Sequence, residues 1–256
     1  MSLTVENLSF AYGKHHVLRD VSFTAQAGEL LAILGPNGVG KTTLFKCILG
    51  LARPYTGRIA ADGADLAALS PRERAHRVAA IPQAHPLSFR YSAFDMVLMG
   101  ASHRLSPFAL PGKKERASAR EAMARVRIEH LAERPFDHLS GGEQQLIFIA
   151  RALCQQAKIL LMDEPTASLD YGNRLLVLDV VRDLAKAGYT VLLSTHDPQH
   201  ALWYADRALA LREGRVLALG ETQETITPEL LLELYGRQFE RIDTPRGPVL
   251  TPKEAG

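Results

Sequence analysis

The sequence predicts an α/β fold with a mainly parallel sheet. Three observations lead there: a glycine-rich loop between an apolar run and a helix, short continuous apolar runs, and proline-marked helix starts. The loop is Gly35-Pro36-Asn37-Gly38-Val39-Gly40-Lys41-Thr42, preceded by Leu30 to Leu34. In this G-x-x-x-x-G-K-T spacing, the glycines let backbone N–H groups turn inward around phosphate oxygens. A helix N-terminus adds its positive end, and Lys41 adds a full charge. The loop therefore predicts binding of a nucleoside triphosphate, with Thr42 as a Mg²⁺ ligand through its hydroxyl and Thr43 beside it in the first helical turn. The runs Leu30 to Leu34, Ile159 to Met162 and Val191 to Leu193 are continuous rather than alternating, as strands covered by helices on both faces require.

The elements follow in order. Over the first 27 residues apolar positions alternate with polar ones (Leu3, Val5; Val21, Phe23) around the turn-like Gly13-Lys14-His15, which predicts an N-terminal antiparallel β subdomain. A second piece of it lies near Arg58 to Ala61. Ser70-Pro71-Arg72-Glu73 has the form of a capping box with proline at the first helical position, and Asp197-Pro198 and Thr227-Pro228 repeat the cap-then-proline arrangement. Between Gln83 and Leu139 strand signals vanish. Irregular, proline-interrupted sequence leads into a helical pattern from Lys113 to Glu133, an inserted helical subdomain over about residues 84–145. The main domain is expected to span 1–220. Residues 221–256 form a small C-terminal appendix, with a helix over Pro228 to Tyr235 and a turn at 245–248.

Composition excludes several classes. With 256 residues, 46% of them hydrophobic, the chain can bury a sizeable core. Thirty Lys+Arg against 28 Asp+Glu leave a net charge of +2, without a block of like charges that would read as a nucleic-acid arm or membrane patch, so electrostatics names no partner. No apolar stretch approaches the roughly 20 residues that cross a bilayer, and Met1 to Glu6 lack the features of a signal peptide, so a cytoplasmic chain is expected. Cys47 and Cys154 each sit inside an apolar helical pattern and read as core thiols in a reducing compartment.

Two further motifs carry chemistry. Lys158-Ile159-Leu160-Leu161-Met162-Asp163-Glu164-Pro165 is an apolar strand ending in two carboxylates, which burial of the strand would bring to the sheet's carboxyl edge, where ligands of open α/β sheets bind. Asp163 is expected to hold Mg²⁺, directly or through water, and Glu164 to polarise the water that attacks the γ-phosphate. Leu139-Ser140-Gly141-Gly142-Glu143-Gln144 opens a strong helix. Ser140 can cap that helix, while the paired glycines leave backbone N–H groups free for a second anion site.

Taken in this order, the phosphate loop, Leu-Ser-Gly-Gly-Glu, Asp-Glu-Pro, Ser168-Leu169-Asp170 and Ser194-Thr195-His196-Asp197 resemble the ATP-binding-cassette (ABC) ATPases, over about residues 1–220. The resemblance implies a P-loop NTPase core that binds ATP with Mg²⁺. It also implies that Tyr12 stacks on adenine, Gln83 senses Mg²⁺ and the attacking water, and His196 contacts the γ-phosphate. Ser140, Gly141, Gly142 and Glu143 would meet the ATP of a partner copy, and Asp170 would couple two active sites across a homodimer. Further implied are two transmembrane permease subunits, a substrate-binding protein met indirectly, no nucleic-acid partner, and a peripheral place on the cytoplasmic face of the cell membrane. Phe89, Ser92, Asp95 to Gly100 and Leu230 to Gly236 are similar to the subfamily importing iron chelates, cobalamin or haem, with a molybdate-type relative close by. A DNA-maintenance or ribosome-associated ATPase of the same superfamily would carry a long heptad insertion or two cassettes, and a small-molecule kinase would not need Leu-Ser-Gly-Gly-Glu.

Overall fold

The computed structural model describes residues 1–82, 91–106, 109–245 and 247–253. The chain opens with strands β1 (Leu3–Tyr12), β2 (His15–Ala25) and β3 (Leu30–Leu34), then helix α1 (Lys41–Ile48). Next come β4 (Thr56–Ala61), β5 (Ala64–Asp65), α2 (Pro71–Ala75) and β6 (Val78–Ile81). A helical stretch follows: α3 (Ala93–Leu98), a 3₁₀ segment Met99–Arg104, α4 (Lys113–Arg125), 3₁₀ turns at Glu129–Leu131 and Phe136–His138, and α5 (Gly141–Gln155). Then come β7 (Ile159–Asp163), α6 (Tyr171–Lys186), β8 (Thr190–Thr195), α7 (Pro198–Tyr204), β9 (Arg207–Arg212) and β10 (Arg215–Glu221). The chain ends in α8 (Thr222–Thr225), α9 (Pro228–Tyr235) and the hairpin β11 (Phe239–Thr244) with β12 (Gly247–Pro252). No helix among the described residues is long and apolar enough to cross a membrane.

The chain divides into two units, one made of Met1–Ala68 with Leu184–Gly256, the other of Leu69–Asp183. In the first, β2-β1-β4-β5 form the expected antiparallel sheet. There β3 is parallel to β8 on one side and to β9 on the other, and every residue of β3 and of β8 is buried. Strand β10 runs antiparallel to β9 through a tight turn in which Glu213 and Gly214 both have positive φ (49° and 75°), the primed geometry that matches strand twist. The sequence reading omitted this hairpin, although Glu-Gly between two apolar runs is a usable signal. Ile226, Leu230, Leu231 and Leu234 pack in one cluster with Ala32, Leu34, Ala201, Leu202, Ala208 and Ala210.

In the second unit β6 and β7 form a parallel pair, and α2 to α5 with most of α6 supply the helices. Gln155 ties α5 to the approach of β6, donating to the carbonyls of Ala75 (2.7 Å) and Val78 (2.9 Å). All three cap-then-proline starts form, with Ser70, Asp197 and Thr227 each accepting a first-turn N–H. The expected Lys113 to Glu133 helix is shorter, because α4 stops at Arg125. Arg127 turns left-handed (φ 59°), its N–H donating to Ala124 O (3.0 Å) and that of Ile128 to Met123 O (3.1 Å). This is the closure usually made by glycine, with buried Met123 and Ile128 as its apolar ends.

Candidate functional site

The phosphate loop leaves the carboxyl end of β3. Leu34 is in register with Thr195 of β8, so Gly35 and His196 follow the ends of two adjacent parallel strands, the edge where such sheets place ligands. Gly35 (φ 151°) needs the absence of a side chain, because a Cβ there would lie 2.5 Å from the Leu211 carbonyl oxygen. Pro36 and Val39 are half-buried, whereas Asn37 and Gly38 face solvent. Gly40, buried against Leu18 and Val17, starts α1 with φ 115° and no side-chain cap. The first N–H groups of a helix have no intrahelical acceptor, so this uncapped end at Lys41, Thr42 and Thr43 is built to donate to an anion. Lys41 is only 5% exposed; its ammonium donates to the carbonyls of Gly35 (2.7 Å) and Pro36 (3.2 Å) and so closes the loop across its own mouth.

Two predicted residues stand on the same unit. Tyr12 ends β1 with 51% of its surface exposed, its ring held edge-on to Phe10 at 4.8 Å between centroids. A rigid exposed aromatic face is what stacking on a base requires. His196 is exposed directly beyond β8, and Asp197 caps α7 behind it.

On the other unit, Ile81 and Met162 are in register, so Pro82 and Asp163 sit at adjacent strand ends. Gln83 lies outside the described residues. Asp163 and Glu164 are both half-buried, and Glu164 adopts a left-handed backbone (φ 46°). A non-glycine residue there costs of order 1–3 kcal/mol, a strain characteristic of functional positions. The turn is closed by Ala167 N–H donating to Glu164 O at 3.2 Å.

The start of α5 has the capping role that the sequence left open for Ser140. Ser140 Oγ accepts the Glu143 N–H (3.3 Å) and the Glu143 carboxylate accepts the Ser140 N–H (2.7 Å), a box that does not engage the amides of Gly141 and Gly142. Gln144 Nε2 fastens the preceding turn by donating to the carbonyls of Phe136 (3.2 Å) and Leu139 (3.1 Å). Gly142 packs so tightly on Asn173 that a Cβ would stand 2.5 Å from its Cγ. Asn173 in turn donates its N–H (2.9 Å) and its side-chain amide (2.6 Å) to the Asp170 carboxylate, and these hydrogen bonds hold that carboxyl below its ordinary pKa.

A family model described as ABC transporter matches residues 18–167. The chain belongs to the ABC transporter family. Among its relatives, the hemin import ATP-binding protein HmuV of Myxococcus xanthus is 37% identical over 99% of this chain and 97% of its own. The molybdate import ATP-binding protein MolC of Haemophilus influenzae is 37% identical over 91% of this chain and 88% of its own. A solved structure described as an inward-facing metal-chelate type ABC transporter superposes with a TM-score of 0.87 at 34% identity, covering 99% of this chain and 98% of that one. As an ABC ATPase the chain binds and hydrolyses ATP.

In ABC terms, Gly141 and Gly142 each meet a different need. The Gly141 amide is left open by the capping box, while Gly142 is glycine because the Asn173 side chain packs on it. The sequence reading missed Asn173, although an amide three residues after Asp170 at a helix start is a recognisable capping pattern. It also missed Gln145, fully buried on α5, which donates to the Pro82 carbonyl (3.3 Å) next to Gln83. Gly142→Ala is expected to push Asn173 off Asp170 and destabilise the protein by about 1–3 kcal/mol, the usual cost of overpacking. Chemical denaturation checks this, and an unchanged midpoint would show that the turn relaxes freely.

Proposed function

We propose that this chain is the ATPase subunit of an importer for an iron–siderophore or related metal chelate, working as a homodimer beneath two permease subunits fed by a substrate-binding protein. The observation that carries the ATPase half is the closed phosphate loop, with Lys41 spanning Gly35 and Pro36 beside the uncapped end of α1. Lys41, Thr43 and the loop amides of Gly35, Gly38, Val39 and Gly40 bind the phosphates, with Pro36 and Asn37 shaping the turn and Tyr12 stacking on the base. Glu164 orients and deprotonates the attacking water, and His196 and Gln83 contact the γ-phosphate and the water. Ser140, Gly141, Gly142 and Glu143 approach the ATP of the partner copy, and Asp170 couples the two sites.

Mg²⁺ is the ion proposed here, and each donor taken by itself suits it. The Thr42 hydroxyl is exposed in the first turn of α1 and the Asp163 carboxylate ends β7, hard oxygen ligands of the kind Mg²⁺ takes while keeping several waters. When bound, the ion neutralises charge developing on the phosphate oxygens. Gln83 completes the proposed ligand set.

The cargo rests on resemblance, since no residue of an ATPase subunit touches it. Relatives with hemin and molybdate in their names are equally similar at 37% identity, and the metal-chelate structure covers 99% of this chain. Molybdate or tungstate, haem and cobalamin are the alternatives. The chain acts peripherally at the cytoplasmic face of the membrane. The test is ATP hydrolysis by the chain co-expressed with its permease in proteoliposomes. A binding protein loaded with a ferric siderophore is expected to stimulate turnover several-fold, and stimulation by molybdate or hemin alone would reassign the cargo.

A further inference from the structure

The helix that follows His196 is fastened at several places. At its start Asp197 donates its N–H to Thr195 Oγ1 (3.0 Å) and accepts the N–H groups of Gln199 (2.9 Å) and His200 (3.3 Å), which joins α7 to the end of β8. The buried His200 places Nδ1 3.3 Å from the second Asp197 oxygen. Further along, the Leu202 carbonyl accepts from Gln223 Nε2 (3.0 Å), and a third attachment is to the C-terminal hairpin. Gln199 donates Nε2 to the Pro248 carbonyl (3.0 Å) and accepts the Leu250 N–H through Oε1 (2.7 Å), pairing with β12 as a neighbouring strand would. Trp203, one turn further on, donates its indole N–H to the same Pro248 carbonyl at 3.0 Å.

With seven residues, α7 is too short to be stable by its own hydrogen bonds, so its position is set by what holds it. A two-stranded hairpin is likewise marginal alone. Leu250 and Phe239 pack against the cluster that contains Ala201 and Leu202 of α7, so hairpin and helix stabilise each other. An amide that donates and accepts on the same strand fixes both the distance and the rotation of the helix that carries it, and the residue before that helix's cap is His196.

We infer that the β11–β12 hairpin positions His196 through α7, with Gln199 and Trp203 as the positioning residues. The inference rests on the reading of His196 as a γ-phosphate contact. Positioning of this kind acts on turnover more than on nucleotide affinity, because the histidine's placement matters most in the transition state. Coupling is reciprocal, so nucleotide at His196 also acts back on the clamp. Trp203, the only tryptophan in the sequence, stands at the clamp and reports on it by its emission.

The experiment uses the purified full chain and compares Gln199→Ala, Gln199→Glu and Trp203→Phe with the parent, alone and combined with His196→Ala. Gln199→Ala is expected to lower kcat about tenfold with KM for ATP within about twofold. Gln199→Glu keeps the acceptance from Leu250 and loses only the donation to Pro248, so it should fall between, as should Trp203→Phe. In the His196→Ala background none of them should lower the residual rate further, since residues acting through one group are not additive. ATP is expected to shift Trp203 emission in the parent and not in Gln199→Ala, and this arm decides where the His196→Ala rate is too low to measure. Full turnover in Gln199→Ala, an equal loss in both backgrounds, or an unaltered ATP-dependent emission shift in that variant would overturn the inference. Normal turnover in His196→Ala alone would instead remove the reading on which it rests.

Discussion

Lys41→Ala is expected to weaken ATP binding by on the order of a hundredfold or more, so that isothermal titration at micromolar protein detects no binding. Its ammonium is 5% exposed and already desolvated, and it stands over the loop by donating to Gly35 and Pro36. Truncating one partner of a buried, hydrogen-bonded charge pair costs about 2–5 kcal/mol, of which 2.8 corresponds to roughly a hundredfold in Kd. The substitution also strips two carbonyls of their donor, so a modest loss of stability accompanies it. ATP affinity like that of the parent would mean that the loop amides alone carry the phosphates.

Glu164→Gln is expected to keep ATP affinity within about twofold while turnover falls roughly 10²- to 10⁴-fold, about 3–5 kcal/mol of barrier. The amide has nearly the same shape and fits the same backbone, but it cannot take a proton from water. With hydrolysis blocked, the variant should accumulate in ATP as a dimer that elutes earlier in gel filtration. Unchanged turnover would remove Glu164 from the chemistry. The left-handed φ of 46° at this position adds a second arm. Glu164→Gly relieves the strain and should raise unfolding stability by about 1 kcal/mol while abolishing hydrolysis, the trade expected of a strained functional residue.

Much of the fold was legible because its signals are local. The run Leu30 to Leu34 is β3 residue for residue, and the cap-then-proline pairs at Ser70, Asp197 and Thr227 mark real helix starts. The end of α4 was hidden because Arg127 makes a left-handed turn that sequence usually signals with glycine or asparagine. The hairpin β11–β12 was hidden because its residues are mostly half-buried, with no apolar buried face to read, and its attachment comes from Gln199 and Trp203, far away in the chain. At the site, the phosphate loop and the Asp163-Glu164 pair are contiguous motifs and could be read directly. The backbone strain of Glu164 and the dependence of Gly142 on Asn173 are properties of packing, which spacing alone does not encode.

Both native thiols are shut inside the protein, and burial pushes Cys47 up to about 12 and Cys154 up to about 11. Because the thiolate is the reactive form, neither will alkylate or oxidise readily at neutral pH. The chain thus comes prepared for site-directed labelling. A single cysteine introduced at Ser140 or Asn37 can carry a spin label or a crosslinker against a silent background, without first engineering a cysteine-free parent.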